Sequence, residues 1–535
     1  MTAPSDREAP QNTADRQALP WAIAALGLLA FILSRVFHPI QGLGNPDIAG
    51  ILYSADVLRD GGLPYRDTWD MKSPGTFFVV AAIFQLFGRS LQALAGGYAV
   101  WIAVGAPALF LSARALYGER GVIAGAIASA LYLSVMGMFD MNYASWMTPP
   151  YAWSFALTLI GLQRGSRSAH AVAGFAAAWA ILLKPHAGTV VLAVAATWWW
   201  ARRREWRGTR SAMIGWWMFG AALGVLPLVV LYAAHGALPD LVRGVLPATA
   251  AAEYLRSRST SSVLLWAFRE VPLQHIRAFF LPGYLACMAV AALWLLRRRA
   301  VRSSALAPPV FFLAASLLGY ALGFRFYVHY LPQCLPAWAL LGAHPAAWDW
   351  FGARRGARAP WVRAVSWGHA LLTAGLVVLI LVRIPSGYGR HRYFDNPGSP
   401  AVERVGAFIQ DRTTPEDPIL VWGWRGWGVY YFADRRSPSP LFKLMGEVTD
   451  PNANLAFLGG TEIHFRDGPL ARRLLADVRA RPPRYFVRST PFFPGVEQDP
   501  LEEWPEMQRI VADEYEVVLR DDFLTVYERK AAVKP

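Results

Sequence analysis

Long apolar runs alternate with short polar segments along the first 385 residues of the chain. An apolar run near 20 residues predicts a membrane-spanning helix, and a shorter one can tilt, break or re-enter. About eleven runs fit this description. They cover residues 21–37, 94–111, 122–138, 147–162, 169–183, 188–200, 212–234, 279–296, 309–323, 327–341 and 364–382. The pattern predicts a mainly α-helical, polytopic membrane protein with about 11 transmembrane helices.

A further apolar stretch, residues 73–88, is short enough to form an interfacial helix on the outer side. Arginine-rich loops support this interpretation, because short basic loops remain on the cytoplasmic side of a membrane. Every second loop is basic, at residues 114–120, 164–167, 202–210, 297–302 and 354–363. If residues 73–88 do not span, all of these loops and the N-terminal tail lie inside. We therefore predict a multi-pass protein of the bacterial plasma membrane, with a cytoplasmic N-terminus and an extracytoplasmic C-terminus.

The composition changes after Pro385. Residues 386–535 contain 22 of the 37 acidic residues, 20 of the 52 basic ones and no run of spanning length. Amphipathic helical patterns alternate there with short apolar strands, at residues 401–410, 419–422, 470–478, 485–487, 504–512, 515–519 and 523–527. This pattern predicts a small extracytoplasmic α/β domain. The predicted organisation is a cytoplasmic tail (1–19), a transmembrane domain (20–385) with its first outer loop at 39–92, and the α/β domain (386–535).

The net charge of +15 follows mostly from this topology. A nucleic-acid-binding chain gathers its Lys and Arg residues on one soluble face. Here the arginines are divided among separate loops beside apolar runs, so we expect membrane lipids and no nucleic acid as partners. The two cysteines, Cys287 and Cys334, lie inside predicted spans. This placement supports neither a disulfide framework nor a thiolate metal site.

The predicted topology collects acidic and basic side chains on the outer face. The densest part is the stretch 45–75 of the first loop, with five Asp, two Arg and one Lys. Later outer loops add Lys184, His186, Arg325, Tyr327 and His329. A carboxylate can take a proton from an acceptor hydroxyl, and cations can hold a departing phosphate. This face is therefore predicted to carry out group transfer from a phosphate-linked substrate.

The order of motifs in and after this loop resembles the membrane glycosyltransferases of the C superfold. These include lipid A aminoarabinose transferases, protein O-mannosyltransferases and rhizobial lipopolysaccharide galacturonosyltransferases. The matching residues of the first loop are Pro46, Asp47, Tyr53, Ala55, Leu58, Pro64, Tyr65, Asp67, Lys72, Ser73, Pro74 and Gly75. Stretches 181–188, 325–336 and 419–436 follow in the expected order, so the resemblance covers nearly the whole chain.

The resemblance implies an inverting transfer of a sugar from a polyprenyl-phosphate carrier to a lipid, glycan or protein acceptor on the outer side of the membrane. Asp47 is then the general base or the group that orients the acceptor. Lys72 holds the donor phosphate with help from Arg66, as suits an anion at the interface. The other predicted substrate-binding residues are Asp67, Asp70, Lys184, His186, Arg325, Tyr327 and His329.

Three features depart from the pattern of the relatives. Ile48 stands where many relatives have a second acid, and Met71 stands where the aminoarabinose transferases have Glu. Relatives often have an acid in the segment that matches residues 142–148, whereas here Asp140 lies a few residues earlier. We therefore assign no metal ion and no other cofactor to the site.

Several of these residues also have a purely structural interpretation. Asp47 is a suitable N-cap for a helix that begins at Ile48. Lys72 could extend its ammonium to the interface, and Asp67 and Asp70 flank a predicted turn.

Asp56 and Asp60 are separated by one turn of the predicted first-loop helix. With Arg59 between them, this spacing is typical of a solvated helix face. We therefore predict that both carboxylates face solvent and stay outside the site.

Two other classes of function remain open. A transporter or flippase of lipid-linked saccharide would place polar residues at mid-membrane within repeated, broken helices. Here the polar residues cluster at the ends of the predicted spans. A non-catalytic envelope assembly protein could keep the same fold, and the sequence identifies neither the sugar nor the acceptor.

Overall fold

The computed structural model is mainly helical and contains one small β-sheet. It describes residues 46–245, 304–322, 328–345, 400–450 and 462–531, except 71, 138, 140, 210, 494 and 495, and part of 21–43. The first predicted span is therefore described only in part. The predicted spans at 279–296 and 364–382 lie outside the described residues, as do Met71, Asp140, Cys287, Arg325 and Tyr327.

Two helices occupy the predicted first outer loop: α1 (Pro46–Arg59) and α2 (Gly75–Phe87). Proline suits the first position of a helix, because the amide hydrogen that it lacks would have no partner there. Asp47 in the first turn of α1 and Arg59 in the last turn carry the charges that each end of a helix dipole favours. The sequence of the loop thus defines both ends of α1.

The helices between the first loop and residue 345 pack into a bundle. They are α3 (Leu91–Ala103), α4 (Gly105–Tyr117), α5 (Gly121–Met136), α6 (Tyr143–Trp146), α7 (Thr148–Arg164), α8 (Arg167–Leu183), α9 (Val190–Arg202), α10 (Ser211–Ala234), α11 (Leu238–Val245), α12 (Ala307–Ala321) and α13 (Leu335–Gly342). Glycines let α8 and α10 approach closely. A Cβ atom at Gly174 would overlap the Trp217 carbonyl oxygen, and one at Gly220 would overlap the Ala171 carbonyl oxygen. Small residues at helix crossings are typical of membrane bundles.

Two helical stretches of the described residues are long and apolar enough to cross a membrane. They are Leu91–Met136, which contains α3 to α5, and Ser211–Ala234. Both overlap predicted spans, at 94–111, 122–138 and 212–234. Shorter apolar helices occur at Gly75–Phe87, Arg167–Leu183 and Ala307–Ala321. The count of about eleven spans stays a prediction.

The C-terminal segment, defined here as residues 400–531, contains the sheet. Its strands are β1 (Ile419–Trp422), β2 (Tyr485–Ser489), β3 (Tyr515–Asp521) and β4 (Leu524–Arg529), in the order β1-β2-β4-β3. β1 and β2 run parallel, whereas β4 is antiparallel to both β2 and β3. The helices are α14 (Pro400–Gln410), α15 (Gly428–Ala433), α16 (Pro469–Ala480) and α17 (Pro505–Glu514). The four strands and the helices α14, α16 and α17 thus lie where the alternating pattern predicts them, whereas α15 was not predicted.

The C-terminal segment shares a hydrophobic core with α1. Ala49, Tyr53 and Val57 of α1 belong to the same cluster as buried residues of β1, β2 and α14. Tyr53 stacks on Phe442 with ring centroids 4.1 Å apart, and its hydroxyl accepts the Ser437 amide at 2.9 Å. The first loop and the C-terminal segment therefore pack against each other around one hydrophobic core.

Asp56 is buried, so our prediction of a solvent-facing carboxylate was wrong. Its side chain is 0% exposed, and Arg89 donates to it from Nε at 2.9 Å and from Nη2 at 2.8 Å. Arg89 also donates to the Tyr431 carbonyl at 2.8 Å and pairs with Asp434 at 3.2 Å. The spacing of the carboxylates could not reveal that a distant segment covers this face. Asp60 is half exposed and pairs with Arg436.

Candidate functional site

Asp47 and Lys72 lie together at the start of α1. The Lys72 ammonium is 3.5 Å from Asp47 Oδ1, and the Asn142 side-chain amide donates to Oδ2 at 3.1 Å. The loop folds back because the Tyr65 hydroxyl donates to the Lys72 carbonyl at 2.6 Å and Asp70 accepts the Lys72 amide at 3.3 Å. The side chains of Asp47 and Lys72 keep 26% and 35% of their surface exposed. Both are therefore open to a ligand.

The electrostatic surroundings keep Asp47 ionised. Burial alone would raise the pKa of its carboxyl. The charges of Lys72, Lys443 and His329 and the hydrogen bond from Asn142 lower the pKa. Together they outweigh the effect of burial and hold the pKa of Asp47 well below its usual range. Asp47 is therefore a carboxylate at neutral pH, able to accept a proton or to orient a hydroxyl.

A second basic group, Lys184 with His186, lies where α8 ends. Lys184 precedes a proline, which disfavours helical backbone, and its extended conformation (φ −158°, ψ 121°) terminates the helix. Its side chain is buried, with the ammonium 3.1 Å from the centroid of the Tyr330 ring. Burial and the nearby charges of Lys184 and Lys72 lower the pKa of His186 to about 4. His186 is therefore neutral at physiological pH.

His329 and Tyr330 reach this region from the short helical turn Val328–Cys334. The Tyr330 ring lies 5.7 Å from the His186 ring and 4.7 Å from the His329 ring. His329 in turn acts on the charge of Asp47. Side chains from three distant parts of the sequence thus lie near one another: the first loop, the end of α8 and this turn.

Asp70 is placed differently from Asp47. It is buried, and Lys443 of the C-terminal segment donates to its Oδ2 at 2.5 Å. Glu447 lies near the same pair, and burial raises the pKa of Glu447 to about 7. Sequence reasoning missed both Lys443 and Glu447. The available signal was a lysine between Phe442 and Leu444, since lysine is rarely buried without a partner.

Arg66 and Asp67 form an exposed pair on the turn after α1. Arg66 Nη2 lies 2.7 Å from Asp67 Oδ2, which also accepts the Leu63 amide at 2.7 Å. Each side chain is 37% exposed. These contacts stabilise the turn. Arg66 and Asp67 do not lie among the side chains around Asp47 and Lys72. Arg325 and Tyr327 were also predicted to bind substrate, and they lie outside the described residues.

The described part of the chain contains no group of three or more His, Cys, Asp or Glu side chains placed to hold a metal ion. What it does place together is the carboxylate of Asp47, the ammonium groups of Lys72, Lys184 and Lys443, and the imidazoles of His186 and His329. A carboxylate beside cations can hold an anionic ligand while it accepts a proton from a neighbouring hydroxyl.

Comparisons with known proteins concern the sequence family and the fold. Residues 71–232 match the model of the family described as dolichyl-phosphate-mannose-protein mannosyltransferase. A comparison with curated proteins found no sequence match.

The fold is similar to those of solved membrane enzymes. ArnT from Cupriavidus metallidurans bound to undecaprenyl phosphate has a TM-score of 0.61 at 15% identity, covering 96% of this chain and 99% of that one. Its apo state gives a TM-score of 0.57 at 14% identity, covering 97% and 98%. The apo oligosaccharyltransferase of Archaeoglobus fulgidus gives 0.54 at 13% identity, covering 88% and 69%. The chain therefore has the fold of the C superfold of membrane glycosyltransferases.

Proposed function

We propose that this protein is an inverting glycosyltransferase that moves a sugar from a polyprenyl-phosphate carrier to an acceptor at the outer side of the membrane. The observation that carries the proposal is the pairing of Asp47 with Lys72 at 3.5 Å, both partly exposed. The family match and the fold support a glycosyltransferase. The undecaprenyl phosphate bound to ArnT supports a polyprenyl phosphate as the carrier.

The chemistry follows from the two charges. The acceptor hydroxyl attacks the anomeric carbon on the side opposite the phosphate, and the bond from that carbon to the phosphate oxygen breaks. Asp47 takes the hydroxyl proton, and Lys72 stabilises the negative charge of the departing phosphate. One displacement at the anomeric carbon inverts its configuration.

Phosphate binding also prepares the base. In the structure Lys72 lowers the pKa of Asp47. A phosphate bound to Lys72 neutralises part of this positive charge, so the pKa of Asp47 rises and the carboxylate becomes a stronger base. In this proposal Lys184, whose ammonium lies 3.1 Å from the centroid of the Tyr330 ring, supplies a further cation for the phosphate.

We also propose a topology for the chain. The N-terminus would be cytoplasmic, and the C-terminal segment would lie outside the plasma membrane of a bacterium. The segment's shared core with α1 supports this arrangement, because the segment must lie on the same side as the first loop. The acceptor is then a lipid, glycan or protein of the cell envelope.

The test is complementation of a deletion strain, with mass spectrometry of the envelope glycolipids and polysaccharides. Asp47→Asn and Lys72→Met should each abolish the glycan product while the protein level stays normal. Asp60→Asn is the matched control, since Asp60 is a half-exposed carboxylate that directly follows the same helix. It should retain the product. A glycan profile that Asp47→Asn leaves intact but deletion abolishes would refute the catalytic role and favour a non-catalytic assembly protein.

A further inference from the structure

A lysine of the C-terminal segment reaches the first turns of α1. The Lys443 side chain is 9% exposed, its ammonium lies 2.5 Å from Asp70 Oδ2, and the Trp427 ring centroid is 5.3 Å away. Gly50 makes room for it, because a Cβ atom there would overlap Cε and Nζ of Lys443. Gly50 follows Asp47 by three residues, so both lie on the same face of α1. Lys443 is thus held beside the turn that carries Asp47.

Charged groups face Asp47 from several elements. They are Lys72 of the first loop, Lys443 of the C-terminal segment and His329 of the turn before α13, and the side chains of Asn142 and Tyr143 also lie near. Asp70 and Glu447 face Lys443 in turn.

The two lysines differ in how firmly they are held. Lys72 keeps 35% of its side chain exposed, whereas Lys443 keeps 9% and is bound by a buried carboxylate. An exposed ammonium can turn to an arriving ligand with little rearrangement. Moving Lys443 would leave Asp70 as a buried charge without its partner, which is costly. Lys72 is therefore the cation that can turn to a ligand at the lower cost, and Lys443 is the one that keeps its place beside Asp70.

We propose that Lys443 is a positioning residue of the site, whose ammonium continues to balance the charge of Asp47 when Lys72 turns to the carrier phosphate. This inference rests on the proposed function, because it takes Lys72 to be the phosphate ligand. Without Lys443, a phosphate would have to draw Lys72 away from the carboxylate that depends on it. Carrier binding and the charge of Asp47 are then coupled through Lys443.

A double-mutant cycle on binding tests the coupling. Undecaprenyl phosphate is titrated into the full chain in detergent for Lys443→Met, Asp47→Asn and the double variant. Lys443→Met should weaken binding about tenfold when Asp47 is present and less than about twofold when residue 47 is Asn. Lys443→Arg should retain binding, since it keeps the charge. An equal loss in both backgrounds would overturn the proposal, because Lys443 would then contact the phosphate itself or only support folding.

A second readout needs no carrier. The cations hold the pKa of Asp47 below its unfolded value. The stability that Asp47 contributes is present above that unfolded value and is lost as the pH falls through the folded one. Lys443 also pairs with the buried Asp70, so this measurement is made in the Asp70→Asn chain. There Lys443→Met should move the loss of thermal stability upward by about 1 pH unit when residue 47 is Asp, and leave it unchanged when residue 47 is Asn.

The same upward shift when residue 47 is Asn, in the chain that carries Asp70→Asn, would overturn the proposal. Lys443→Gln is a second neutral variant should Lys443→Met fail to fold. If the wild-type chain binds no undecaprenyl phosphate while the pH shift still requires Asp47, the proposed function is refuted and the coupling of Lys443 to Asp47 is supported.

Discussion

Arg89 should be among the most important polar residues for stability, because it neutralises the buried carboxylate of Asp56. Breaking a buried ion pair by removing one partner costs about 3–5 kcal/mol, since the remaining charge has lost its partner but not its burial. Two facts place Arg89→Met at the lower end. Arg59 still approaches Asp56 at 3.2 Å, and Arg89 is itself 18% exposed. We expect a loss of about 3 kcal/mol and, for a chain of this length, a fall in Tm of about 3 °C.

The chain offers a matched control for this experiment. Arg404 binds Asp521 through Nε and Nη2, each at 2.6 Å, but its side chain is 57% exposed. Exposed pairs contribute little to stability, so Arg404→Met should leave the Tm nearly unchanged. Thermal melts of the purified variants in one detergent compare the two. The double variant Asp56→Asn/Arg89→Met should recover part of the loss, because the buried charge is then gone. Equal effects of Arg89→Met and Arg404→Met would refute the argument from burial.

Two further predictions concern helix packing and pH. Gly220→Val should prevent α8 and α10 from approaching and sharply reduce the yield of folded protein in size-exclusion chromatography, whereas Gly215→Ala, in the same helix with nothing within 4 Å of the added atom, should fold normally. Burial raises the pKa of Glu447 from 4.5 to about 7, so the folded protein holds a proton that the unfolded chain has released between these values, and stability falls as the pH rises through this window. Glu447→Gln should therefore flatten the dependence of Tm on pH between 4.5 and 7, and an unchanged slope would show that Glu447 is not the group responsible.

The local parts of this structure could be predicted from sequence. Short apolar runs identify the strands at 419–422 and 485–487, because a strand that is buried on both faces shows a continuous apolar run. Asp47 and Lys72 were paired as functional residues by the order of motifs in the first loop. The structure adds the distance of 3.5 Å and the fold of the loop that produces it.

Contacts between distant segments could not be predicted in this way. The spacing of Asp56 and Asp60 describes a helix face but carries no information about what covers that face. Arg89 is 33 residues away from Asp56, and Lys443 is 373 residues away from Asp70. The periodicity of a helix or strand describes only that element. The partners that pack against it from distant parts of the chain are identified only by the folded structure.

The shared core of α1 and the C-terminal segment has a consequence for the order of synthesis. The Tyr53 hydroxyl accepts a hydrogen bond from the amide of Ser437, which is synthesised 384 residues later. At about 5–20 residues per second, the ribosome needs roughly 20 to 75 seconds to produce that partner. During this interval the apolar side of α1 is open, and a chaperone or the lipid interface must cover it. A segment that is synthesised late therefore completes the core around α1, and a chain truncated before residue 400 would lack that part of the core.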